Sequence, residues 1–222
     1  MSMLDHIVPM LPELGTAFLQ TALMLGIGLG AALLLGGPLG VLLFLVSDGQ
    51  ALQHRPLALV LGWIVNTVRS FPFIVLLVAL VPFTRVLAGT SIGPLAAAVP
   101  LSIAAIAYFA RLVEQNLRDV PRGVIEAAQS MGASEFQIVV RVLLPEARAA
   151  LVLSLTVLAI SFLSYSAVAG VVGGGGIGDL AIRYGYYRFE TDVMVFTVAI
   201  LVALVQLIQL TGAHAARRLD KR

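Results

Sequence analysis

Residues 118–146 read RDVPRGVIEAAQSMGASEFQIVVRVLLPE, a polar stretch inside an otherwise lipid-soluble chain. Asp119 can cap a helix whose first turn holds Pro121, where a missing N–H costs no hydrogen bond. Val124, Ile125, Ala128 and Met131 recur at helical spacing on one face. Gly132 supplies a left-handed stop. Ser134 and Gln137 form a capping box that starts a second helix, with Phe136, Val139, Val140 and Leu143 on its apolar side. Pro145 is expected to end that helix and to push Leu144 out of helical geometry. Two short amphipathic helices at a fixed angle result, neither apolar enough to cross a membrane. A turn of a few residues would reconnect the flanking segments, so the insert points to contact with something outside the bilayer.

The flanking sequence defines that bilayer. The 222 residues are 59% apolar and 12% charged, with mean hydropathy +1.00; soluble domains run near about 45–50% and about 25%. The expected fold class is all-α: a polytopic membrane protein with about five transmembrane helices, a single transmembrane domain over 1–222 that carries a cytoplasmic helix–Gly–helix insert at 118–146. Spans are expected at roughly 17–46, 57–82, 94–113, 149–172 and 193–213, each near the ~20 residues that cross a ~30 Å core. In the first span Gly26, Gly30, Gly36 and Gly40 form two G-x-x-x-G pairs suited to close helix packing, and Pro38 is expected to bend the helix. Gly173–Gly176 closes the fourth span and reads as a flexible turn.

Composition excludes several chemistries. The sequence has no cysteine, which removes disulfides, thiol catalysis, zinc thiolates and lipidated cysteines. The single lysine, Lys221, stands at the C-terminal end, so no phosphate loop of the G-x-x-x-x-G-K-[ST] type can form. His6, His54 and His214 are scattered at no metal-ligand spacing. No cofactor, metal or nucleic acid is expected, and no catalytic role. Helix-turn-helix DNA binding is disfavoured because Arg and Lys are too sparse on one face.

Orientation follows from Lys and Arg. With five spans, one side holds Arg55, Arg111, Arg118, Arg122, Arg141, Arg148, Arg217, Arg218, Lys221 and Arg222; the other holds Arg85, Arg183 and Arg188. The basic side, with insert and tail, is expected to be cytoplasmic and the N-terminus outside. Residues 1–16 lack Lys and Arg, so no cleaved-signal n-region is expected.

The run Glu126-Ala127-Ala128…Gly132…Leu144-Pro145 resembles the EAA loop of bacterial ABC importer permeases. Arg69-Ser70-Phe71-Pro72-Phe73 is similar to an R-x-x-P element of amino-acid permeases. Val81-Pro82-Phe83-Thr84-Arg85, Gly89–Gly93, Tyr165-Ser166-Ala167, Ala169-Gly170, Gly178-Asp179-Leu180 and Tyr184-Gly185-Tyr186 resemble methionine importer permeases. Val168 departs from that pattern, where Met is expected. The resemblance implies a homodimer in the inner membrane, two copies of a cytosolic ABC ATPase, an external methionine-binding protein and methionine as solute. It implies ATPase coupling through Glu126, Ala127, Ala128, Met131, Gly132, Ala133, Ser134, Phe136 and Gln137. A permease for another amino acid, or a self-sufficient secondary carrier, are the alternatives. The carrier lacks Asp or Glu within its spans, Glu114 standing at an edge.

The pathway or gate is expected at Arg69, Ser164, Tyr165, Ser166 and Val168. A central intramembrane Arg costs ~2.5–3.5 kcal/mol on insertion scales, so Arg69 must face the bundle interior or water. It either meets the solute or hydrogen-bonds carbonyls freed by Pro72. Ser164, Tyr165 and Ser166 either line a passage or pack helix on helix. Arg183, Tyr184, Tyr186, Tyr187 and Arg188 suit either a headgroup belt or a protein contact.

Overall fold

The computed structural model describes residues 8–220; His6, Lys221 and Arg222 lie outside them. After a short turn at Val8–Met10, the elements are α1 (Leu11–Val46), α2 (Arg55–Ser70), α3 (Phe73–Ala79), α4 (Val81–Ala88), α5 (Pro94–Arg118), α6 (Arg122–Ser130), α7 (Glu135–Gly174), α8 (Ile177–Leu180) and α9 (Thr191–Leu219). Four of these, α1, α5, α7 and α9, are long and apolar enough to span a membrane. The α2–α3 pair makes a fifth only as a broken span, bent by 104°.

That bend corrects the expectation of a continuous helix over 57–82. Phe71 is extended, the conformation that a following proline favours, and Pro72 precedes α3. Two other prolines do the opposite. Pro145 neither ends its helix nor displaces Leu144, which keeps φ −64° and ψ −44°. A π-turn over Val139–Leu143 absorbs it, with the Leu144 N–H reaching back five residues to Val139 O. Pro38 is accommodated by the same device, a π-turn over Ala32–Gly36 and a Gly37 N–H bond to Ala32 O. Inserting one residue into a turn re-routes the ladder around the proline. The insert's second helix is therefore the root of the fourth span.

Helix α5 is the hub, packed against α1, α2, α3, α4 and α7. Its small residues, including Ala96, Ala97, Ala104, Ala105 and Ala110, are almost wholly buried. Gly36 and Gly40 let α1 lie on it: a Cβ at Gly36 would stand 2.8 Å from Ile106 O, and one at Gly40 2.5 Å from Ala110 O. Gly26 and Gly30, read as the same motif, meet nothing within 4 Å, so only one of the two expected glycine pairs packs within this chain. Phe44, Leu101, Phe109, Leu117, Leu143 and Phe162 fill the core. Helix α9 runs along α7, with Gly212 pressed against Thr156.

Loop 47–54, the insert and the tail share one end. Asp48–Ala51 lines a cleft with Arg118, Arg122 and Glu135, and Arg148 Nε donates to Leu219 O at 2.8 Å. The opposite end holds Gly89–Gly93, Gly173–Gly176 and residues 177–190.

Candidate functional site

Three features stand out, one at each end and one between. At the insert end, α6 and α7 meet at Gly132, whose φ of +79° is the expected left-handed stop. The capping box is present in both directions: Ser134 N donates to Gln137 Oε1 at 2.9 Å and Gln137 N to Ser134 Oγ at 3.4 Å. Asp119 does not cap α6; it ends α5, and Pro121 precedes α6 without a side-chain cap.

The expected apolar faces divide differently. Ala128, Ile138 and Leu143 turn into the core, while Met131 is 82% and Phe136 76% exposed. Val124 and Val140 are exposed as well. Of the coupling residues, Glu126, Ala127, Met131, Gly132, Ser134, Phe136 and Gln137 are exposed, Ala133 is half-buried and Ala128 is packed inside. The result is a rigid two-helix knuckle, held from beneath and apolar on top.

Between the ends, three helices bring polar stripes together. Gly62, Asn66 and Arg69 share a face of α2 and Tyr108, Arg111 and Gln115 one of α5, both at i, i+3/i+4, i+7 spacing; Ser154, Ser161 and Ser164 share one of α7 at i, i+7, i+10. Arg111 ties the first two, donating to Asn66 Oδ1 at 2.8 Å and reaching Gly62 O at 3.5 Å. It also pairs with Glu114, which is buried and held from its other side by Arg118 at 2.8 Å. Asn116 Nδ2 donates to Ser154 Oγ at 2.8 Å, joining α5 to α7.

Arg69 closes this column at the α2–α3 break. It lies in the last turn of α2, with its guanidinium 5.1 Å from the centroid of the Tyr108 ring. It does not take up the carbonyls freed by Pro72: among the described residues it forms no ion pair, and its buried Nε has no hydrogen-bond partner. The expected serine–tyrosine patch splits. Ser166 is buried and bonded back to Leu163 O at 2.7 Å, which makes it packing. Ser164 is exposed. Tyr165 is half-buried, stacked on Phe73 with centroids 4.7 Å apart and edge-on to Phe162 at 5.1 Å. Val168 packs against the core.

At the far end the glycine run is not a loose turn. Gly176 N donates to Gln20 Oε1 at 2.8 Å, Ile177 N to Thr21 Oγ1 at 3.0 Å, and Gly93 N to Gly173 O at 2.8 Å. Nearby, Arg183 pairs with Asp179 at 2.8 Å and Glu13 at 3.2 Å, and Tyr184 Oη donates to Glu13 at 2.7 Å. Partial burial pulls Arg183 down, but Asp179 and then Glu13 outweigh it and raise its pKa. The bond to Glu13 raises that of Tyr184. Arg183 and Tyr184 thus face the protein, while Tyr186, Tyr187 and Phe189 remain exposed.

Gln20, Thr21, Glu13, Asn66, Tyr108 and Arg111 were not anticipated. The helical spacing of Gly62–Asn66–Arg69 and Tyr108–Arg111–Gln115 carried a signal; the contacts across more than 40 residues did not.

A bundle of membrane-length helices with a polar column along α2, α5 and α7 and a protruding knuckle suits the membrane component of a transport system. The family model for the binding-protein-dependent transport system inner membrane component matches residues 22–222, and the chain belongs to that family of multi-pass inner-membrane proteins. It is 49% identical to the probable D-methionine transport system permease protein MetI of Vibrio cholerae, over 93% of this chain and 92% of that one. It is 42% identical to the methionine import system permease protein MetP of Bacillus subtilis, over 82% of each. A chain of the MetNI methionine ABC transporter, solved in inward-facing conformations, superposes with a TM-score of 0.93 at 42% identity, covering 96% of this chain and 99% of that one.

Proposed function

We propose that this chain is the membrane-spanning subunit of an ATP-driven importer that passes methionine across the bacterial inner membrane. It works as a homodimer with two copies of a cytosolic ABC ATPase and an external methionine-binding protein. The N-terminus lies outside; insert and tail face the cytosol. Relatives named for methionine import, alike over nearly the whole chain, support the solute.

The observation that carries the coupling role is the exposure of Met131 and Phe136 on a knuckle that is otherwise packed from beneath. Large apolar side chains raised on a rigid support are the anchors a partner groove accepts. The chain has no phosphate loop, so movement must enter by contact. Closure of the ATPase pair displaces the knuckle. Because α7 runs on from Glu135 through the π-turn at Val139–Leu143 and loses helical geometry only at Val172 and Gly173, displacement at its foot tilts most of a span and changes the width of the polar column. Each partner biases the two states only by its differential affinity for them.

Arg69, Ser164, Tyr165 and Val168 border the path, with Ser166 acting through packing. Reconstitution with the cognate ATPase and binding protein tests the reading. Labelled methionine should accumulate only with ATP and both partners, whereas accumulation by the chain alone would overturn it.

A further inference from the structure

We propose that Arg69, with Tyr108 and Tyr165, forms a transient site inside the membrane for the carboxylate of a free amino acid. The inference rests on the importer reading and adds where, within the subunit, the solute is recognised.

Its basis is an uncompensated charge. Arg69 sits at the break of the second span with its Nε buried and without a hydrogen-bond partner. An ionised group at that depth is retained only when paired or facing a water-filled path. Among the described residues none supplies a countercharge to Arg69. None of the chain's twelve Asp and Glu residues falls within 17–46, 57–82, 94–113, 149–172 or 193–213. Glu114, just beyond the third stretch, is already clasped by Arg111 and Arg118. A second copy has the same sequence and brings the same deficit. The missing anion must come from what passes through.

The surroundings fit an amino acid better than an inorganic anion. The guanidinium lies over the Tyr108 ring, which fixes its plane. Phe162 meets Tyr108 edge-on at 6.4 Å and Tyr165 at 5.1 Å, so the two phenols belong to one aromatic cluster. Behind them Phe73, Tyr165 and Phe162 form a continuous aromatic wall. A guanidinium edge takes a carboxylate through parallel N–H bonds. The wall offers an apolar or thioether side chain favourable contact.

The test is binding to the intact permease–ATPase complex in lipid nanodiscs without binding protein, read by saturation-transfer NMR. The probes are methionine, methionine amide, glutamine and histidine. Methionine should give a signal that falls about tenfold in affinity for Arg69→Gln and for the amide on wild type, the loss expected when a charge-assisted pair is removed. Arg69→Lys should restore part of it, and Tyr108→Phe should weaken it less. Equal binding of acid and amide to wild type, or no amino-acid signal at all, overturns the site even where Arg69→Gln fails to assemble. An Arg69-dependent signal from glutamine or histidine but not methionine supports the site and overturns the methionine assignment.

Discussion

Two glycine turns bound α7, one at each end, and they behave oppositely. At Gly132 an added Cβ would meet nothing within 4 Å, and the residues on either side raise Met131 and Phe136 into the open. At Gly173–Gly176 the backbone is crowded. A Cβ on Gly174 would lie 2.7 Å from Ala169 O, one on Gly176 2.7 Å from Thr21 Oγ1, and three of the four glycines have positive φ. The glycine-rich segment is the closed joint and the single glycine the open one. Glycine density marks crowding at the first; the solitary glycine only sets an angle, leaving its neighbours for a partner.

The contrast can be broken most severely at the closed joint. Gly178→Val would drive a side chain into the backbone of Ala167. The expected cost is at least the ~1–3 kcal/mol of ordinary overpacking, enough to remove the monodisperse peak from size-exclusion chromatography. The open joint should respond differently. Met131→Asp with Phe136→Asp should leave that peak and the melting temperature unchanged, yet weaken ATPase association by about 2 kcal/mol or more, as loss of interface anchors does. Glu126→Arg should act in the same direction, more mildly.

Removing the Thr21 hydroxyl sharpens the closed side. Thr21→Val keeps the shape and strands the buried Ile177 N–H, so about 1–3 kcal/mol of stability should be lost in thermal unfolding. The smallest effect belongs to Gly132→Ala. With open space around it, only the left-handed backbone resists, costing about 1–2 kcal/mol; ATPase pull-down should fall modestly while packing at the far end stays intact.

The sequence made legible what is local. The Ser134–Gln137 capping box and the positive φ of Gly132 are written in adjacent residues, and both are present. Pro145 misled because a proline's missing N–H predicts a stop, whereas a one-residue π-turn lets α7 continue, which matters for transmitting motion. Gly26/Gly30 and Gly36/Gly40 are indistinguishable as motifs; only the position of α5 decides which pair packs. The polar column needed Asn66 beside Arg111 and Tyr108 beside Arg69, neighbours made by folding. Arg69 was visible as a costly charge, but its lack of a partner emerges only once every nearby group has a position.

The most direct measurement of the central claim is co-purification of the tagged chain with its ATPase, wild type against Met131→Asp/Phe136→Asp, both confirmed folded by thermal melting. The account predicts stoichiometric ATPase with wild type and nearly none with the double variant. Equal recovery of ATPase with both would contradict it.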